Sequence, residues 1–217
     1  MIHIDFLVED NSGKVMLENL LPRIIPSDRA TYKINPYKGI GRLPSKKTSA
    51  KAIKHRQLLD LLPKLLNGFG HTYNGWGNAL RGHVVVVCDL DDNNLLEFKQ
   101  QLESILEDCY IKPNTSFCFA IEEGEAWFLG DKDAIKSAYP NANLGILNTY
   151  EQDSICGTWE KLADVVGFEQ DHKEFHEIGA AKKEWAETIT PFINLEKNQS
   201  PSFQYFVSTL NEILSIK

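Results

Sequence analysis

Two short stretches of the chain are almost entirely apolar and rich in β-branched residues, which is the pattern of a buried strand. They are residues 2–8 and 83–90, and the second contains four valines in succession. A run of that kind fits a strand that is covered on both faces. Weaker runs at residues 31–37 and 116–121 predict two further strands.

Between these runs, apolar residues recur three and four positions apart, the spacing of amphipathic helices. The first predicted helix begins at Asn11 or Ser12, either of which is a good N-cap, and ends near Pro22 to Pro26. Residues 49–66 and 94–109 show the same helical spacing.

Strands that alternate with helices predict an α/β fold with a mostly parallel sheet flanked by helices. We expect this fold over residues 1–150, with a loop at the glycine-rich residues 68–77. Beyond about residue 155 no strong strand pattern remains. Residues 151–217 are therefore expected to form a helical extension packed on the α/β domain, with helices near 158–166, 174–189 and 201–215.

Composition is that of a folded globular protein, with 42% hydrophobic and 24% charged residues. The net charge of −7 argues weakly against nucleic-acid binding, but the charge is unevenly distributed. Residues 29–59 contain nine Lys and Arg and no acid, which leaves 14 basic and 30 acidic residues, or −16, elsewhere. The candidate phosphate-binding residues of this basic segment are Lys46, Lys47, Lys51, Lys54 and Arg56. An ordinary solvated helix face, or a counterweight to the acidic remainder, is an equally good interpretation.

No apolar run approaches the roughly 18 residues that a membrane span needs. The first residues lack the basic and apolar stretches of a secretory signal. The four cysteines are scattered, without a CxxC pair or a zinc-type cluster, and are expected to be reduced. Together these features favour a cytoplasmic location without membrane contact.

Carboxylates follow three of the predicted strands. Glu9 follows the first and Asp89 and Asp91 follow the valine strand, while Glu122, Glu123 and Glu125 follow the next. If the strands are parallel, these acids meet at one edge of the sheet, and Asp89 and Asp91 share a side if their strand continues. Such a cluster repels itself unless a cation neutralises it, and sparse carboxylates suit magnesium better than zinc. The plainer alternative is that the acids are solvated loop residues that cap the next helices.

The segments FLVE at residues 6–9 and VVVCDLDD at residues 85–92 resemble the Toprim pattern of topoisomerases, primases and overcoming-lysogenization-defect-type nucleases. That pattern has a Glu after the first strand and a DxD after a later one. The segments AIEEGEAW at 120–127 and NQSPSF at 198–203 resemble a prokaryotic Toprim-related family of unknown function, often encoded near ATPase genes. The resemblance covers residues 3–130 and about 175–215.

The resemblance implies acid–base work for Glu9 and magnesium (or manganese) binding by Asp89 and Asp91. Further candidates are Asp92 as a metal ligand and Glu123 and Glu125 as catalytic residues. The implied activity is that of a Mg²⁺-dependent nuclease, in a defence or mobile-element setting, with nucleic acid and an ATPase as partners. The alternative is a non-catalytic regulatory or nucleic-acid-binding protein.

Many Toprim proteins have Gly directly after the Glu, whereas this chain has Asp10. The larger side chain is expected to narrow the approach of a phosphate to the site. Alternatively, Asp10 is another ligand of the metal.

Three other sequence patterns suggest a binding site but have simpler interpretations. Residues 12–14 (SGK) resemble the end of a P-loop, but the first glycine of that motif is missing because position 8 is Val. His172 and His176 have the helical spacing of a zinc pair, although surface histidines are the commoner explanation. Lys182 and Lys183 in the helical tail could reach the acidic site, but solvated lysines are commoner.

Overall fold

The computed structural model describes residues 1–43 and 57–215. In this part of the chain, four parallel strands form one sheet in the order β2-β1-β3-β4. The strands are β1 Ile2–Val8, β2 Ala30–Pro36, β3 Arg81–Asp89 and β4 Thr115–Ala120. The predicted α/β fold with a parallel sheet is confirmed, and each predicted strand is present within one or two residues.

Helices flank the sheet and make up most of the second half of the chain. They are α1 Asn11–Ile24, α2 Leu58–Trp76, α3 Leu95–Glu107, α4 Glu125–Leu129, α5 Lys132–Ala138, α6 Leu144–Leu147, α7 Thr158–Val166, α8 Phe175–Ile189 and α9 Pro201–Ser215, with a short 3₁₀ helix at Thr190–Phe192. The last three agree with the helices predicted from apolar spacing. No helix in the described ranges is long and apolar enough to cross a membrane.

The two faces of the sheet are buried under different helices. Val85 and Val87 of β3 join the cluster formed with α1, α4, α8 and α9, whereas Val84 and Val86 join the cluster formed with α2 and α3. Burial on both faces explains why this strand is an unbroken run of β-branched residues rather than an alternating one. The helices of the C-terminal part belong to the first cluster, so they share a core with the sheet.

The loop predicted at residues 68–77 is wrong, because α2 continues through the glycines to Trp76. Gly70 is buried, and a Cβ atom there would lie 1.8 Å from the carbonyl oxygen of Ile111. This glycine therefore permits a close backbone approach instead of a turn. Of the helix predicted at 49–66, residues 49–56 lie outside the described residues, and α2 begins at Leu58.

The N-cap of α1 is Asp10, one residue before the predicted Asn11 or Ser12. Its carboxylate accepts hydrogen bonds from the Gly13 amide at 2.8 Å and from the Ser12 hydroxyl at 2.8 and 2.9 Å. An aspartate that already satisfies the first turn of a helix has a structural role there. The helix also runs two residues past Pro22, to Ile24.

Candidate active site at the carboxyl edge of the sheet

Parallel pairing brings the carboxyl ends of β1 and β3 side by side. Val8 pairs with Val87, so Glu9 and Asp89 follow on adjacent strands. The Asp89 amide donates a hydrogen bond to Glu9 Oε2 at 3.3 Å. The expected meeting of these two residues is therefore observed, and it follows directly from the sheet register.

Both carboxyl groups resist ionisation. The pKa of Glu9 is raised to about 7. Burial is the largest cause and the charge of Asp10 the next, while the hydrogen bond from the Asp89 amide acts in the opposite direction. Burial also raises the pKa of Asp89 well above its usual range, followed by the charges of Glu9 and Glu125. Glu9 and Asp89 are half-buried and repel each other, so a cation between them would be stabilising.

A small cavity of about 40 Å³ lies among these side chains. Its polar lining includes Glu9, Asp89, Glu125 and Lys182. One water site needs about 10–15 Å³, so the cavity has room for a small cation together with a water.

Lys182 of α8 neutralises the other two carboxylates of this edge. Its Nζ atom lies 2.9 Å from Glu123 Oε1 and 3.4 Å from Glu125 Oε2, and its side chain is only 17% exposed. Burial opposes the positive charge, but Glu125, Glu123 and Asp89 outweigh it and raise the pKa of Lys182. Lys182 is thus an internal cation that balances Glu123 and Glu125, and the lysine that sequence analysis named as able to reach the site does so.

Asp91 and Asp92 do not extend the pair along a strand. The strand β3 ends at Asp89, and Asp91 has a positive φ of 48°. The residue as a whole is exposed, but its carboxyl group is partly shielded from water. This shielding, followed by the charge of Glu123, raises the pKa of Asp91. It lines a wide groove together with Glu9, whereas the exposed Asp92 lines neither this groove nor the small cavity.

Glu122 has a structural partner instead of a place in the cavity. Its carboxylate accepts hydrogen bonds from the amides of Cys156 and Gly157 at 3.0 and 2.9 Å and from the Thr158 hydroxyl. Burial would raise the pKa of Glu122, but these hydrogen bonds lower it overall. Glu122 therefore anchors the start of α7, the role that the plainer interpretation gave to acids at strand ends.

The wide groove that opens beside the cavity has a volume of about 1170 Å³. Besides Glu9 and Asp91 it contains exposed cations that sequence analysis did not single out for a site, Lys38 and Arg42 of the loop after β2. Lys183 and His176 of α8 also line it. The predicted phosphate-binding residues Lys46, Lys47, Lys51, Lys54 and Arg56 lie outside the described residues.

The donors at the cavity suit a hard divalent cation. Magnesium usually takes one or two protein carboxylates and fills its other positions with water and phosphate, which Glu9 and Asp89 satisfy. Within the described residues, no three His, Cys, Asp or Glu side chains are placed to enclose a metal. Glu9 and Asp89 would therefore leave most positions of such an ion open, and the described side chains do not form a closed metal centre.

Neither protein-family models, nor curated proteins, nor solved structures give a match to this chain. The fold and the site define its class as a parallel-sheet α/β protein with two half-buried, repelling carboxylates at the carboxyl edge of the sheet. Their neighbours are an internal lysine and an open groove.

Proposed function

We propose that the chain is a Toprim-type nuclease that cleaves phosphodiester bonds with the help of Mg²⁺ or Mn²⁺. The observation that supports this most is the pair formed by Glu9 and Asp89, whose pKa values are raised by burial and by like charge beside a cavity of about 40 Å³. Two carboxylates that repel each other do not stabilise a fold, so the presence of this pair favours a bound cation. The resemblance of residues 6–9 and 85–92 to the Toprim pattern gives the same expectation.

In this proposal Glu9 and Asp89 would hold the divalent ion, and Asp91 would lie beside it in the adjoining groove. The ion supplies charge neutralisation at the phosphate and orients water. In the metal-free protein Glu9 has a pKa of about 7, so near neutral pH it is able to release its proton when a cation binds. Lys182 pairs with Glu123 and Glu125, and its positive charge also lowers the pKa of Asp89, which partly offsets the repulsion among the carboxylates.

A second candidate is the non-catalytic regulator, for which one observation speaks directly. Lys182 already compensates two of the four carboxylates without any metal, and Asp10 is engaged as a helix cap. A protein that bound nucleic acid or an ATPase without cutting would need no more than this balance. Cleavage of a substrate separates the two candidates.

The test is cleavage of plasmid, single-stranded DNA and RNA in Mg²⁺ and in Mn²⁺, with and without a candidate ATPase partner. We expect wild-type cutting, and loss of at least about 100-fold in Asp89→Asn and Glu9→Gln, since each removes a ligand charge. Asp28→Asn, at an exposed acid away from the site, is the matched control. No cutting under any of these conditions, with binding retained, would favour the regulator.

A further inference from the structure

The wide groove is too large and open for a typical small-molecule site. Its volume of about 1170 Å³ exceeds the roughly 300–1,000 Å³ usual for such sites. Its walls come from the loops after β1, β2 and β3, from the starts of α1 and α2 and from the N-terminal half of α8. They carry the carboxylates of Glu9, Asp10, Asp60 and Asp91, so an anionic ligand must contact the cations of the groove and keep away from these acids. A chain-like ligand that lies across the carboxyl edge of the sheet fits these dimensions.

Phe175, the first residue of α8, lines this groove and is 93% exposed. It is the most exposed large apolar side chain of the described residues. Isolated apolar residues occur on any protein surface, so exposure alone says little. Its position is informative, because the same groove contains the carboxylates of Glu9 and Asp91.

Three cations of the groove are available to an anionic chain. Lys38 and Arg42 are exposed, and neither forms an ion pair with another described residue. Lys183 pairs with Glu187 at 3.2 Å, but both side chains are more than half exposed. Because an exposed ion pair contributes little, Lys183 can exchange this partner for a phosphate at low cost.

We propose that this groove binds an unpaired nucleic-acid strand, with its phosphates on Lys38, Arg42 and Lys183 and one base stacked on Phe175. The inference rests on the proposed function, because it names the substrate class of the same site. A duplex keeps the faces of its bases covered, whereas an unpaired strand offers them to an aromatic ring. Stacking on Phe175 therefore selects single strands.

The test measures binding in EDTA, so that cleavage plays no part. Labelled 12-nucleotide DNA, RNA of the same sequence and the DNA duplex are titrated with protein by fluorescence anisotropy. Phe175→Ala is expected to weaken single-strand binding about tenfold while duplex binding stays within twofold. Phe175→Trp should keep the affinity, and its fluorescence should be quenched by the strand. The DNA and RNA arms decide which sugar is preferred.

Two matched controls locate the effect in the groove. Phe192→Ala removes another exposed phenylalanine, in the 3₁₀ helix outside the groove, and should change nothing. Lys38→Ala should reduce the slope of log K against log salt concentration by about 0.7, as expected for one lost phosphate contact. Lys33→Ala, at an exposed lysine of β2 outside the groove, should leave the slope unchanged.

The inference is overturned if Phe175→Ala binds single strands as well as wild type, or if it loses duplex and single strand equally. It is also overturned if wild type binds neither. Circular dichroism of each variant excludes unfolding as the cause. Its failure is distinguishable from failure of the proposed function, since single strands that bind in EDTA but are never cut with any metal refute the nuclease alone.

Discussion

Replacement of Glu9 by glutamine tests the charge of the candidate site through protein stability. The raised pKa of Glu9 means that the folded protein keeps a proton between about pH 4.5 and pH 7 that the unfolded chain has already released. Unfolding therefore becomes easier as the pH rises through this window, and the loss is complete above pH 7. Glutamine cannot ionise, but its side-chain oxygen can still accept the hydrogen bond from the Asp89 amide.

The shift from 4.5 to about 7 sets the size of the effect. Between pH 5 and pH 8, ionisation of Glu9 is expected to lower the free energy of unfolding of the wild type by about 2–3 kcal/mol, whereas Glu9→Gln should not show this loss. For a chain of this size, that corresponds to about 5–10 °C in the melting temperature at pH 8. The comparison is made by urea or thermal unfolding in EDTA at both pH values, with Glu18→Gln, at a half-exposed acid of α1, as the control.

Added Mg²⁺ should stabilise wild type at pH 8 and much less at pH 5, because metal binding requires ionised carboxylates. Glu9→Gln should show little response to Mg²⁺ at either pH. If wild type and Glu9→Gln lose stability in parallel from pH 5 to pH 8, Glu9 does not carry a buried charge. If Mg²⁺ stabilises both proteins equally, Glu9 is not a ligand.

The remaining predictions concern the internal cation and the glycines of α2. Lys182→Met leaves two glutamates without their partner and should destabilise the fold by about 3 kcal/mol in urea unfolding, whereas Lys183→Met should stay within about 0.5 kcal/mol. If Lys182→Met and Lys183→Met changed stability equally, the ion pairs of Lys182 with Glu123 and Glu125 would not be buried in solution. Gly70→Ala should cost about 3 kcal/mol because its Cβ meets the Ile111 carbonyl, whereas Gly68→Ala, with open space at its Cβ, should stabilise by up to about 1 kcal/mol. Urea unfolding measures both variants. A Gly70→Ala protein that is more stable than wild type would contradict the close approach of α2 to the Ile111 backbone.

The strands were predictable because their signal is local. Burial of β3 on both faces requires a continuous run of β-branched residues, and that run is visible without any knowledge of its neighbours. The helices of the C-terminal part were equally visible from apolar spacing. Local patterns failed at α2, since a glycine that admits the Ile111 backbone has the same sequence appearance as one in a loop.

The pairing of Glu9 with Asp89 also followed from the sequence, because parallel strands bring their carboxyl ends to one edge. The sequence could not assign the other acids. Glu122 and Glu123 are adjacent in the chain and both accept backbone hydrogen bonds at the start of α7, yet only Glu123 also pairs with Lys182, 59 residues away.

The amino-acid sequence by itself determined the class of fold, the four strands, the three long C-terminal helices and the edge at which acids gather, but not the short helices α4, α5 and α6. Only the tertiary structure decided which acids stay uncompensated, because that depends on where α8 places Lys182 and on which amides each carboxylate can reach. Hydrophobic periodicity is a property of neighbours along the chain, whereas burial of a charge and its pKa depend on groups that only folding brings together.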